Sequence, residues 1–214
     1  MSLKRGALVV LEGVDRSGKS TQCRKLVESL NSNQIKSELM VFPDRTTLIG
    51  KMINTYLSNK ECDLHDKAIH LLFSANRWEN AEKMKELLQS GVTLIVDRYS
   101  YSGIAYSSSK PGMDIEWCKT QELGLPKPDL VLLLTLGKEQ MNKRPGFGDE
   151  RYENDDMQSK VLNIFHQLAD NTWEVVDASP SIDEVHKTLL DKIIKVREDV
   201  AETNLGTLKF KCCK

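Results

Sequence analysis

The sequence has no uninterrupted apolar run approaching the roughly 20 residues that a membrane-spanning helix needs, so no such helix is expected. Its first residues, MSLKRGALVVLEG, begin basic and turn apolar, but the run is too short for a leader core and Glu12 interrupts it. An excess of charge is missing too. Thirty Lys and Arg against 31 Asp and Glu leave a net charge of −1, which gives no electrostatic footprint for polymeric nucleic acid or an anionic membrane. Any handling of phosphates must therefore use a local cluster of cations. The five cysteines, Cys23, Cys62, Cys118, Cys212 and Cys213, are odd in number and lack metal-ligand spacing. They fit a reduced protein of the cytoplasm or nucleus, with Cys212 and Cys213 on an exposed tail. Internal repeats, low-complexity tracts and Pro/Gly/Ser linkers are absent, so residues 1–214 are expected to form one domain.

What is present is an alternation of strand and helix patterns. Forty per cent of residues are apolar, enough for a sizeable core. Apolar, β-branched runs at Ala7–Leu11, Val92–Val96 and Leu130–Leu136 predict buried strands, with weaker candidates at Glu38–Phe42 and Trp173–Val176. Helical spacing runs through Lys19–Leu30 and through Leu48–Leu57, where Ile49, Met52, Ile53, Tyr56 and Leu57 share a face. One long helix is expected from Lys67 to Gln89, stopped by Gly91. Later helices are expected at Met157–Leu168 and Ile182–Val196, the second capped by Ser181 with Glu184 three residues on. This alternation implies an α/β fold with a mainly parallel sheet covered by helices on both faces.

The chemistry starts at Gly13-Val-Asp-Arg-Ser-Gly18-Lys19-Ser20, a full GxxxxGK[ST] phosphate-binding loop between a strand and a helix. Gly13, Ser17, Gly18 and Thr21 supply backbone and cap, so that N–H groups and a helix N-terminus meet the phosphates of a nucleoside triphosphate. Lys19 then reaches the β- and γ-phosphates, and the Ser20 hydroxyl is a ligand for Mg²⁺. A second signal is Asp97-Arg98 at the end of the run Val92–Val96, the sheet edge where open α/β sheets bind ligands. Asp97 is either a second Mg²⁺ ligand or a strand-end ion-pair partner, and Arg98 either a phosphate clamp or its neighbour in that pair. A guanine-reading Asn-Lys-x-Asp is missing, because Asn142-Lys143 continues with Arg144-Pro145. The length suits a small kinase.

Five blocks make the reading narrower. Glu12-Gly-Val-Asp-Arg-Ser-Gly-Lys-Ser-Thr-Gln22, Phe42-Pro-Asp-Arg45, His70-Leu-Leu-Phe-Ser-Ala-Asn-Arg-Trp-Glu79, Asp97-Arg-Tyr-Ser-Tyr-Ser-Gly103 and Gly124-Leu-Pro-Lys-Pro-Asp129 occur in that order. With them, nearly all of residues 5–190 resembles the eukaryotic-type thymidylate kinases. The resemblance implies a P-loop kinase fold, a five-stranded parallel sheet with helices on both faces and a short lid, working as a homodimer. It also implies transfer of the γ-phosphate of ATP to dTMP with Mg²⁺, in dTTP biosynthesis, and no partner other than small nucleotides.

Carried over position by position, the resemblance makes Phe73 the residue stacked on thymine and Arg77 the donor to a base carbonyl. On the residues alone, Phe73 in the run Leu71-Leu72-Phe73 reads as core before it reads as a binding residue, and Arg77 reads equally as a surface cation beside Trp78. Phe42, Arg45 and Arg98 would hold the dTMP end of the site, and Ser102, Gly103 and Tyr106 would face base and sugar, with Tyr106 closing against the deoxyribose. Asp15 would accept from the sugar 3′-hydroxyl, and Arg16 would act as an arginine finger in cis. Residues 137–154 are the expected lid, from which Arg144 would meet ATP and Tyr152 the monophosphate, joined by Gln158. Residues 203–214 form the expected tail.

Two rivals stay open on the sequence. A deoxynucleoside kinase shares the loop and the Asp-Arg, but needs Glu12 or Asp15 as a base for a neutral 5′-hydroxyl. A catalytically silent nucleotide-binding module would need only the loop.

Overall fold

The computed structural model of the chain describes residues 4–137, 140, 151–152 and 155–210. Arg144, nearly all of the expected lid and Cys212-Cys213 lie outside them. Five strands form one parallel sheet: β1 (Leu8–Gly13), β2 (Ser37–Val41), β3 (Thr93–Asp97), β4 (Leu130–Thr135) and β5 (Trp173–Asp177), in the order β2-β3-β1-β4-β5. Register pairs Leu11 with Asp97 and with Leu132, which brings the C-terminal ends of β1 and β3 side by side.

Strand alternation explains both layers. Leu8, Val10, Leu94, Val96, Val131 and Leu133 point into one core with Tyr99, Ile104 and Phe165. Val9, Leu11, Ile95, Leu130, Leu132 and Leu134 point into the other, against Leu26, Leu30, Leu189 and Ile193. The central strands β1, β3 and β4 read as near-continuous apolar runs because both of their faces are covered, whereas the edge strands β2 and β5 are partly exposed. Each expected strand is found, shifted by one or two residues at its ends.

The helices are α1 (Lys19–Ser32), α2 (Leu48–Ser58), α3 (Asp66–Trp78), α4 (Ala81–Gln89), α5 (Ser100–Ser108), α6 (Ile115–Thr120), α7 (Asp155–Leu168) and α8 (Ile182–Val200). On α2, Ile53, Tyr56 and Leu57 turn inward as expected, but Met52 is half exposed and sits outside the apolar face. Ser181 and Glu184 form the expected reciprocal capping box of α8. Gly91 lies just past α4 with a positive φ, as a C-terminal stop requires.

The single helix expected from Lys67 to Gln89 is two helices, parted at Glu79-Asn80. Glu79 accepts hydrogen bonds from Thr47 Oγ1 (2.6 Å) and Asn76 Nδ2 (2.6 Å), which ties the break to the segment before α2. The buried stripe His70, Ser74, Arg77, Ala81, Met84, Leu88 nevertheless keeps spacings of three and four through the break. The spacing of buried positions therefore carries no sign of the interruption.

Candidate active site

The tip of β1 gives way at Gly13, and α1 begins at Lys19 behind Gly18, whose φ of 95° is one that L side chains rarely adopt. The loop between them is the floor shared by two cavities. A cavity of about 460 Å³ is lined by Asp15, Arg16, Gly18, Lys19, Ser20 and Thr21 from the loop, and by Phe42, Arg45, Phe73, Arg77, Asp97, Arg98, Ser102, Gly103, Tyr106 and Tyr152. A second cavity of about 330 Å³ meets the same loop at Arg16, Ser17, Gly18 and Thr21, and is closed by Gln22, Ala178, Pro180, Ile182 and Val185. Arg16, Gly18 and Thr21 border both, so the loop backbone lies between two compartments.

The floor is electrostatically coupled. Lys19 is nearly buried and donates to Val14 O at 2.7 Å and Ser17 Oγ at 3.3 Å. Burial, aided by the nearby Arg98 charge, pushes its ammonium down to about 8. Phosphates placed beside Lys19, as the loop motif implies, would favour its charged form, so their binding would take up a proton wherever free Lys19 is partly neutral. ATP affinity is expected to fall as pH rises through about 8. Titration calorimetry at pH 8.5 in buffers of different ionisation enthalpy should show proton uptake on ATP binding; buffer-independent heats would contradict this.

Arg98 follows β3 with φ 65° and turns over the floor. Its guanidinium pairs with Asp15, donates to Ser102 Oγ at 3.2 Å, and stands 5.3 Å above the Tyr106 ring. Burial opposes ionisation of Asp15, but Arg98 and Lys19 hold its carboxyl below the ordinary value. Gln158 lies behind this pair rather than on the cavity wall: its Nε2 donates to Asp15 Oδ2 at 2.6 Å and its Oε1 accepts from Asp15 N at 2.9 Å. Tyr152 completes the wall, 5.6 Å from the Tyr106 ring. The adjacent Arg151 donates to the carbonyls of Asn59, Lys60 and Cys62 beyond α2, tying Tyr152 to that helix end.

The two residues named as Mg²⁺ ligands are in contact, Ser20 Oγ donating to Asp97. Asp97 is therefore not in the side-chain ion pair with Arg98 that its position at the strand end also allowed. Among the described residues there is no group of three or more His, Cys, Asp or Glu placed to hold a metal ion by themselves. A hydroxyl and a carboxylate at the phosphate loop suit Mg²⁺, which keeps several waters and takes phosphate oxygens for the rest of its shell.

Other placements refine the expectations. Arg45 is exposed and donates to Asn54 Oδ1 at 2.8 Å. Phe42 is buried on the Tyr99 ring, with centroids 5.7 Å apart. Phe73 is both cavity wall and partly buried core, so its two readings are compatible. Arg77 is not a surface cation on Trp78: it is 2% exposed and paired with Glu122.

Two acids carry structural roles that composition and motif left unassigned, Glu12 being named on the sequence only as a rival kinase's base. Glu12 is fully buried, and its Oε1 accepts from Tyr99 N (3.0 Å) and Ser102 N (3.0 Å) while Ser102 Oγ donates to Oε2. It caps the start of α5, whose own N-cap residue makes no side-chain bond, and its proton is held above the ordinary carboxyl range by burial. A place as the last-but-one residue of β1 was the available signal. Glu122 carried no local signal; only its charge, complementary to Arg77, pointed to it.

His70 lies fully buried behind this wall, bonded to Ser107 Oγ (2.8 Å) and Cys118 O (3.2 Å), with Arg77, Glu122 and the Trp117 ring around it. Burial lowers its pKa, so the fold favours its neutral form, whereas the unfolded chain protonates near pH 6.5. Stability from this group is complete above about pH 6.5 and is lost as pH falls from there through the lowered value. The unfolding midpoint should drop more between pH 7 and 5.5 in the native chain than in His70→Gln; equal slopes would contradict the assignment.

With this geometry in place, comparison with known proteins is decisive. The thymidylate kinase family profile matches residues 11–189. The chain belongs to the thymidylate kinase family. It is 53% identical over 192 residues to the thymidylate kinase of Homo sapiens, covering 88% of this chain and 90% of that protein. It is 52% identical over 198 residues to that of Arabidopsis thaliana, covering 92% of this chain and 74% of that protein. A solved thymidylate kinase from Candida albicans superposes with a TM-score of 0.87 at 42% identity, over 96% of this chain and 99% of the other. The thymidylate kinase family comprises ATP-dependent nucleoside monophosphate kinases, and its α/β P-loop fold is the one described above.

Proposed function

We propose that this chain transfers the γ-phosphate of ATP to dTMP, giving dTDP and ADP. The observation that carries the reading is the phosphate loop set between two cavities that share Arg16, Gly18 and Thr21. One compartment would take the acceptor monophosphate, and the other the adenosine of ATP against Ala178 and Pro180. The acceptor needs no base: a phosphate monoester has its second pKa near 6, so it is mostly dianionic at neutral pH. Catalysis is then in-line positioning plus charge stabilisation.

Gly13, Ser17, Gly18 and Thr21 would bind the ATP phosphates through backbone and cap. Lys19, Arg16 and Arg98 would gather charge on the transferring group, with Asp15 turned to the sugar 3′-hydroxyl. Phe73 would stack on thymine and Arg77 donate to its carbonyl. Arg45, Phe42, Ser102, Gly103, Tyr106 and Tyr152 would enclose the rest of dTMP, with Gln158 acting on it only through Asp15, and Arg144 would meet ATP from a lid over residues 137–154. Ser20 and Asp97 would hold Mg²⁺, which would supply charge neutralisation between the β- and γ-phosphates.

The reading extends to one domain that pairs as a homodimer in the cytoplasm or nucleus. Leu71 and Trp78 on α3, with Leu48 and Met52 on α2, are exposed large apolar residues consistent with a partner subunit. Cys23, Cys62 and Cys118 are free thiols, as a reducing compartment would keep them. No helix among the described residues is long and apolar enough to cross a membrane.

The deoxynucleoside kinase alternative loses its first candidate base, because Glu12 is fully buried with its acceptors occupied. Incubation with Mg²⁺, ATP and either dTMP or thymidine, followed by ion-exchange analysis of products, tests the choice. dTDP with an equal yield of ADP supports the proposal; dTMP formed from thymidine would overturn it.

A further inference from the structure

The ion pair between Arg77 and Glu122 is the most deeply buried pair of opposite charges among the described residues, with side chains 3% and 0% exposed. Glu122 lies just after α6, 45 residues along the chain from Arg77. A buried pair of this kind adds little stability over apolar residues of similar volume, because desolvating both charges offsets their attraction. Its worth is geometric. Arg77 Nε donates to Glu122 Oε2 at 2.8 Å and Nη2 donates to Oε1, so the carboxylate takes one whole edge of the guanidinium. Neither of these two bonds uses Nη1, and Arg77 is among the residues that line the cavity.

Two further bonds hold Glu122 to the helix that carries Arg77. Ser74 Oγ donates to Gln121 O at 2.9 Å and Trp78 Nε1 donates to the same oxygen at 3.0 Å, from one turn before Arg77 and one residue after it. On the opposite side, a Cβ at Gly103 would lie 2.4 Å from Nη2 and 3.0 Å from Cζ. The guanidinium thus fills the place of the missing side chain, caught between Glu122 and the backbone of α5.

We propose that Glu122 is a positioning residue for base selection, fixing Arg77 against Gly103 so that the cavity presents an immobile, donor-only edge. The inference rests on the reading above, in which Arg77 faces the base of the acceptor nucleotide. A guanidinium cannot accept a hydrogen bond. Held still, it admits a pyrimidine with a carbonyl at that edge and opposes one with an amino group, which would set donor against donor in a buried site. A guanidinium free to swing would move aside and discriminate less.

The test compares kcat/KM for dTMP and dCMP, together with KM for ATP, in the native chain, Glu122→Gln, Glu122→Asp and Arg77→Gln. Glutamine keeps the shape but replaces one acceptor by a donor; aspartate keeps the charge but is one methylene short. The expected result is a fall of about 10- to 100-fold in the dTMP-to-dCMP ratio for Glu122→Gln. A smaller fall is expected in Glu122→Asp, which keeps the proposal testable should the glutamine variant not fold. KM for ATP should stay within about twofold, since a general loosening of the fold would move both substrates. An unchanged ratio in the Glu122 variants, beside a lowered one in Arg77→Gln, would overturn the proposal and leave Arg77's role standing. An unchanged ratio in Arg77→Gln, or no preference for dTMP in the native chain, would overturn the underlying reading as well.

Discussion

Lys19→Ala should lower kcat by about 10²- to 10³-fold, the range expected when one charge-stabilising donor is removed from a water-poor site. Lys19 is 5% exposed, and its ammonium now donates within its own loop, to Val14 O and Ser17 Oγ. Its loss removes positive charge from the floor without opening a core. The melting temperature should stay close to native, and KM for dTMP should change little. Arg98→Ala should differ in kind. Arg98 meets Asp15, Ser102 and Tyr106 around the larger cavity, so its removal should raise KM for dTMP as well as lower kcat. Steady-state rates at varied ATP and dTMP separate the two patterns. A kcat loss of less than tenfold in Lys19→Ala would contradict its role on the transferring phosphoryl group.

Arg77→Leu should cost about 3–5 kcal/mol of stability, the usual result of stripping the partner from a buried charge. Glu122 is fully buried, and losing the guanidinium leaves it no compensating cation. For a chain of this length each kcal/mol moves the melting point by roughly 2–4 °C, so a drop of about 6–20 °C is expected. The double variant Arg77→Leu/Glu122→Leu should recover most of that loss, because it removes both buried charges together. It should not recover activity toward dTMP. Thermal unfolding of the two variants is the check; a double variant less stable than Arg77→Leu alone would mean that the pair is itself a net source of stability.

The sequence was most legible where the chemistry is local. The phosphate loop lies within eight consecutive residues, and strand and helix on either side follow from their own patterns. Asp97 and Arg98 were legible because a charged pair ending a buried strand must sit at the sheet edge. The split between α3 and α4 was not legible, since the buried stripe runs through it unbroken and the contact that Glu79 makes there is with Thr47, far off in sequence. Met52 misled for a related reason: helical spacing places it near the apolar face of α2, but what covers that face is decided by neighbours. Glu122 was invisible because a lone acid in a polar stretch reads as surface, and only the fold brings it to Arg77. Gln158 was named for the substrate itself, yet the fold sets it behind Asp15, where it steadies the carboxylate.

The most direct test of the whole account is the initial rate of ADP formation, with Mg²⁺ and ATP, across dTMP, dUMP, dCMP, AMP, GMP and thymidine. The account predicts that dTMP gives the highest kcat/KM, that dCMP and the purine monophosphates lag far behind, and that thymidine is not turned over. Preferred turnover of thymidine or of AMP, or silence with every acceptor from folded protein that still binds ATP, would contradict it.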